Sequence, residues 1–111
     1  MVIIKIIKSE KFKKDYKKLT KKHMDKEIER LVKIEGLIIE SDNMKILMDN
    51  VMHSIYGIEK KKGNLKELYT AKLNNKLRLY IKPCSDYPYN NLEQIVELEF
   101  IEIDDKHYGE G

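Results

Sequence analysis

The sequence predicts an α+β domain: an opening strand, then two N-terminal helices packed on a twisted, mainly antiparallel β-sheet. Three observations carry that expectation. The first residues are β-branched, two stretches then place apolar residues at helical spacing, and from Leu65 the apolar period shortens to two. With 111 residues, 41% of them apolar, the chain is expected to form one domain over 1–111 with no room for a second core.

Each element has a local reason. Val2 to Ile7 reads as a strand that stops at Ser9-Glu10, where Ser9 suits a helix N-cap and Glu10 complements the first turn. In the helix that follows, Phe12, Tyr16 and Leu19 recur at i, i+4 and i+7, which turns Lys11, Lys13, Lys14, Lys17 and Lys18 mostly to solvent. A second helix is expected from about Lys22 to Ile39, with Met24, Ile28, Leu31, Val32, Glu35 and Ile38 near one face and Gly36 weakening its last turn. Ser41-Asp42-Asn43 breaks it, and residues 40–58 carry no clear period.

From Leu65 to Leu73 and from Leu77 to Ile81 the alternation describes a hairpin. A two-residue Asn74-Asn75 turn would set Lys72 against Leu77, mixing polarities on one face. A three-residue loop instead pairs Leu73 with Leu77, Ala71 with Leu79 and Lys72 with Arg78. The second register is expected, leaving one apolar face and one carrying Lys72, Arg78, Tyr80 and Lys82. Pro83 to Asn91 reads as a surface loop, and Leu92 to Ile103 as a long strand. In that strand Ile101 and Ile103 have the opposite parity to Val96, Leu98 and Phe100, so it either bulges or is covered on both faces.

Composition excludes several classes. Apolar runs such as Val2-Ile3-Ile4 and Leu37-Ile38-Ile39 fall far short of the roughly 20 residues that a membrane helix needs. The first seven residues are too short and lysine-interrupted for a secretory signal, and one cysteine, Cys84, forms no internal disulfide, so a cytoplasmic location is expected. Charge is partitioned: 13 Lys and Arg against 9 acids over 1–50, 8 against 3 over 51–91, and 1 against 7 over 92–111. Such a basic surface suits a polyanion or is simply solvated, while the acidic last segment pairs with it or lies on another face.

No phosphate-loop, dinucleotide, serine-hydrolase or zinc-protease motif is present, and His23, His53 and His107 are too dispersed to suggest a metal site. What remains is a convergence of cations. Lys72 and Arg78 lie cross-strand, and Lys60-Lys61-Lys62-Gly63 leads into them. Like charges placed opposite each other are costly without a counter-charge, supplied either by a bound anion or by Glu97 or Glu99 on the neighbouring strand.

Glu59-Lys60-Lys61-Lys62-Gly63-Asn64-Leu65, then Tyr69-Thr70-Ala71-Lys72-Leu73-Asn74, then Arg78-Leu79 resembles the core of RelE/ParE-superfamily toxins, above all the YoeB-like mRNA interferases. The start Ser9, Glu10, Phe12, Asp15, Tyr16 is similar too, and Asp105-Lys106-His107-Tyr108 resembles both the YoeB-like His-Tyr ending and the Asp-x-His ending of HigB-like toxins. Lysines replace the proline and leucine found between the positions of Glu59 and Lys62, and Gly109-Glu110-Gly111 extends past the His-Tyr pair.

The resemblance implies a RelE-like fold and the toxin of a type II toxin-antitoxin system, a ribosome-dependent mRNA endoribonuclease that needs no metal or other cofactor. It implies Glu59 as general base, Arg78 as phosphate-stabilising group, His107 as general acid and Tyr108 as its companion. Lys62 and Lys72 match RNA-holding positions, and Lys60, Lys61 and Lys82 extend that set. The implied partners are a cognate antitoxin, the ribosome and mRNA, with no membrane. Two other readings go with the same fold: a ParE-like inhibitor that binds DNA gyrase, and a non-catalytic interaction module.

Overall fold

The structure, a computed structural model, describes residues 3–50 and 52–105. Ser9 begins the first helix as its sequence position predicts, its Oγ accepting the Phe12 N–H at 3.0 Å to open α1 (Glu10–Lys21). Phe12 and Leu19 are buried and Tyr16 packs beside them. Full burial of such a side chain contributes about 1.5–3 kcal/mol. Past the helix end His23 turns the chain at φ 54°, a left-handed conformation that glycine usually supplies.

α2 (Asp25–Glu40) starts three residues later than expected and buries Leu31, Ile34 and Ile38. Val32 was expected on this face, yet it is 61% exposed while Ile34 is fully buried. At 100° per residue Leu31, Ile34 and Ile38 fall within one 60° arc, and Val32 lies 100° beyond its nearer edge, on the flank. The unperiodic stretch folds as two short helices, α3 (Met44–Asp49) and α4 (Met52–Ile55). Asn43 caps α3 by accepting the Ile46 N–H at 2.9 Å, and Met44 and Leu47 enter the core.

The sheet contains β1 (Lys5–Lys8), β2 (Glu59–Lys60), β3 (Tyr69–Lys72), β4 (Arg78–Pro83) and β5 (Glu97–Asp104), in the order β1-β5-β4-β3-β2. The β1–β5 pair is parallel and the others antiparallel. The hairpin has the expected register, with Lys72 opposite Arg78, Ala71 opposite Leu79, and the Leu73 N–H bonded to the Leu77 carbonyl at 3.0 Å. Two strand expectations are corrected. The alternating stretch from Leu65 becomes strand only at Tyr69, because Gly63, at φ 65°, starts a 3-10 turn over Gly63–Leu65. Leu92–Gln94 is likewise a 3-10 turn, capped by Asn91, so β5 begins at Glu97.

The parity change in β5 is a bulge. Tyr80 faces Glu102 and Ile81 faces Phe100, leaving Ile101 as the extra residue, and Leu98, Phe100 and Ile103 all reach the core. That core lies between the helices and one face of the sheet, where the Phe12 and Phe100 rings meet at 5.4 Å. Where β1 ends, α1 takes over the β5 edge: Ser9 N–H donates to the Phe100 carbonyl at 3.1 Å and its Oγ to the Ile101 carbonyl at 2.6 Å. The Ile103 N–H then donates to Asp15 Oδ2 at 3.0 Å. No helix among the described residues is long and apolar enough to cross a membrane.

Candidate functional site

Strand alternation sorts the predicted residues by face. The face away from the core carries one row running Glu59, Thr70, Tyr80, Glu102 across four strands, and beside it a second row of Lys72, Arg78 and Asp104. Thr70 and Tyr80 are each 1% exposed and form a floor, whereas Glu59 and Lys72 are exposed and Arg78 half-buried. Glu59 lies two strands over and two residues along from Arg78, which at ordinary strand spacing puts their Cα atoms about 12 Å apart.

Arg78 is held by the turn that precedes it. Asn74 Oδ1 accepts the Lys76 and Leu77 N–H groups at 2.8 and 2.7 Å, and its Nδ2 donates to Glu27 on α2 at 3.0 Å. The loop thus shaped presents the Asn74 and Leu77 carbonyls to Arg78 Nη1 at 2.8 and 3.2 Å. These bonds fix the plane of a group that carries five N–H donors in all. The acid that register places opposite Arg78 is Asp104; Glu99 stands opposite Lys82, and Glu97 lies 3.9 Å from Lys5.

Lys72 is braced as well. Its N–H bonds the Tyr56 carbonyl at 2.7 Å, and its methylenes lie over Gly57, where an added Cβ would come within 2.7 Å of them. Gly57 also sits at φ 62°, so the backbone conformation and the packed Lys72 stem both favour glycine there. Arg30, unsingled in the sequence, locks this corner: it bonds the Lys72 carbonyl through Nε and the Ile55 carbonyl through Nη2 at 2.8 Å, and covers the Tyr56 ring at 5.1 Å. A readable signal was its type, since Arg30 and Arg78 are the only arginines among 22 basic residues.

Burial, then the nearby Asp104 carboxylate, pushes the Glu102 carboxyl above its ordinary range, while Lys11 pulls the other way. Lys60 is separated from this face. It shares the Tyr69 side of the sheet and its ammonium lies 5.6 Å over the Tyr87 ring. Lys82 is on the Arg78 face, four residues along β4, and Lys61 and Lys62 follow β2. His53 Nδ1 bonds the Asn50 carbonyl at 2.5 Å and serves the α3–α4 turn. His107 and Tyr108 lie outside the described residues. No cluster of metal-ligating side chains occurs among the described residues.

Comparison with solved structures identifies the fold. A chain of the E. coli DinJ-YafQ toxin-antitoxin complex superposes with a TM-score of 0.64 at 19% identity over 94% of this chain and 93% of that one. A YoeB/ParE toxin from Agrobacterium tumefaciens gives 0.55 at 12% identity over 94% and 100%, and the Helicobacter pylori protein HP0892 gives 0.54 at 21% over 93% and 94%. The described chain shares the fold of these proteins, helices packed on a mixed five-stranded sheet. No protein-family model matches the sequence, and neither does any curated protein.

Proposed function

We propose that this chain, built on the RelE/ParE toxin fold, is the toxin of a type II toxin-antitoxin pair and a ribosome-dependent mRNA endoribonuclease. The observation that supports this most is the shared face of Glu59, Lys72 and Arg78, with the guanidinium already oriented by two backbone carbonyls. Glu59 takes the proton from an RNA 2′-hydroxyl, the oxygen attacks the adjacent phosphorus in line, and the P–O5′ bond breaks. His107 gives a proton to the departing 5′-oxygen, so the products are a 2′,3′-cyclic phosphate and a 5′-hydroxyl. Arg78 and Lys72 stabilise the charge that grows on the phosphate oxygens, where preorganised donors act most strongly. Tyr108 seats a base, Lys82 holds a flanking phosphate, and the ribosome presents the strand.

The proposed antitoxin lays an acidic, partly apolar segment along the basic helical surface. A groove of about 620 Å³ between α1 and α2 fits it, with Phe12, Leu31, Val32 and Ile39 below and Lys13 and Lys17 at the rim. Primer extension on cellular mRNA after induction tests the activity. New 5′ ends at fixed codon positions are expected. Growth arrest with relaxed plasmid DNA and intact mRNA would instead select the gyrase-binding reading, and unimpaired growth the interaction module.

A further inference from the structure

A second basic surface lies on the other side of the β2 edge, away from Glu59 and Arg78. Two ammonium groups converge on one ring there: Lys60 Nζ at 5.6 Å and Lys66 Nζ at 5.3 Å from the Tyr87 centroid. Lys61, Lys62 and Gly63 complete a shallow depression whose lining contains no carboxylate and no aliphatic side chain. Among the described residues none of these four lysines forms an ion pair. Three of these lysines are exposed to water, where their mutual repulsion is modest, and an anion set among them would relieve it.

The ring is a braced platform. Tyr87 meets Tyr89 edge-on at 5.4 Å, Tyr89 packs 6.4 Å from buried Tyr69, and the Tyr89 hydroxyl donates to the Glu67 carbonyl at 2.5 Å. Burial and the nearby Glu67 push the Tyr89 phenol up to about 12, which keeps that donor protonated. The opposite wall is fixed by the Lys61 N–H to the Leu68 carbonyl at 2.9 Å and the Lys66 N–H to the Gly63 carbonyl at 3.2 Å.

We infer that this patch is a second RNA contact, in which Tyr87 stacks on a base or ribose and Lys60 and Lys66 bind the flanking phosphates. Polyanion plus aromatic face is the chemistry of single-stranded nucleic acid. An amphipathic acidic helix would find no aliphatic floor here, unlike in the α1–α2 groove. The patch anchors RNA on the flank of the protein while the other face does the chemistry, and in that role it rests on the ribonuclease reading. It also accounts for Lys60, which faces away from the proposed cleavage site.

The test measures fluorescence anisotropy of a labelled 12-nucleotide single-stranded RNA, with polyglutamate as competitor, on the full chain and on Lys60→Ala/Lys66→Ala, Tyr87→Ala and Tyr87→Phe, each first checked by circular dichroism. The lysine pair is expected to weaken binding about tenfold and to lower the slope of log affinity against log salt by about 1.4, two phosphates' worth. Tyr87→Ala is expected to weaken it about tenfold with the slope unchanged, and Tyr87→Phe to bind as the parent does. Unchanged affinity in the folded lysine and Tyr87→Ala variants, absence of RNA binding by the parent, or polyglutamate competing as well as RNA would overturn the inference. Primer extension separates the two readings: a parent that cleaves while the variants bind normally rejects the patch alone, and a parent that binds through the patch but never cleaves rejects the nuclease alone.

Discussion

Twenty of the 22 basic residues are lysine, and the two arginines do what lysine does poorly, bonding backbone carbonyls with a rigid planar fork. Arg78→Ala is expected to abolish cleavage and toxicity while costing about 1 kcal/mol of stability through the lost carbonyl bonds. Arg78→Lys keeps the charge without the fork and should cleave at least about tenfold more slowly. Melts followed by circular dichroism, set beside growth and primer-extension assays, decide this: a folded Arg78→Ala protein that stays toxic removes Arg78 from the chemistry. Asp15 is the complementary case, a carboxylate only 5% exposed that receives the Ile103 N–H and pairs with Lys11 at 2.6 Å. Asp15→Ala leaves a buried N–H unmet and should cost about 2–3 kcal/mol in urea melts, with activity per folded molecule unchanged. The sequence displayed Asp15 within a family-like motif, but its task depends on the β5 edge lying against α1, a contact 88 residues away that no local pattern encodes.

Elements with one buried face were legible, as was the Ser9 cap of α1, whereas the short elements set by local turns were not. The hairpin register followed from polarity matching, and the β5 bulge from the parity of Ile101 and Ile103. By contrast, α3 and α4 are too short for a period to develop, and the positive φ of Gly63 interrupts an alternation that looked continuous. The α1–α2 groove was hidden because Val32, assigned to the core stripe, stands beside it. Position 36 lines the same groove and faces open space, with nothing within 4 Å of an added Cβ. Val32→Glu is therefore expected to leave the melting temperature within about 2 °C, since exposed sites shift stability by about 0.5 kcal/mol or less, yet to slow antitoxin association by placing an acid where an acidic segment arrives. Association should also slow as salt rises, because screening shortens the reach of Lys13 and Lys17. Stopped-flow rates that ignore both changes would place the antitoxin elsewhere.

Across the whole molecule the basic and acidic segments meet in one sheet, since the register sets Glu99 against Lys82, Glu102 against Tyr80 and Asp104 against Arg78. One consequence is a pH dependence. The folded state holds the Glu102 carboxyl above its ordinary range through burial and Asp104, so this group favours folding below its unfolded pKa, and that advantage is lost as pH rises through the folded one. Glu102→Gln should thus melt higher than the parent at pH 7 and match it near pH 4. A second consequence concerns the chain end, whose roles the sequence could assign only by resemblance. β5 delivers the chain to the Arg78 row at Asp104, and His107 follows three residues later, within about 10 Å of extended backbone. On the proposed mechanism, a histidine that close in sequence to the Arg78 row is the expected source of the proton for the leaving 5′-oxygen. Deleting residues 109–111, which add no apolar side chain, is expected to leave cleavage intact on translating ribosomes. Ending the chain at Lys106 is expected to abolish it with the melting temperature unchanged, because every described core residue lies before that point. Terminal residues are often dispensable, and if these are, both truncations will be silent. Retained cleavage by the chain ending at Lys106 would move the acid away from His107 and leave Glu59, Lys72 and Arg78 to carry the chemistry among themselves.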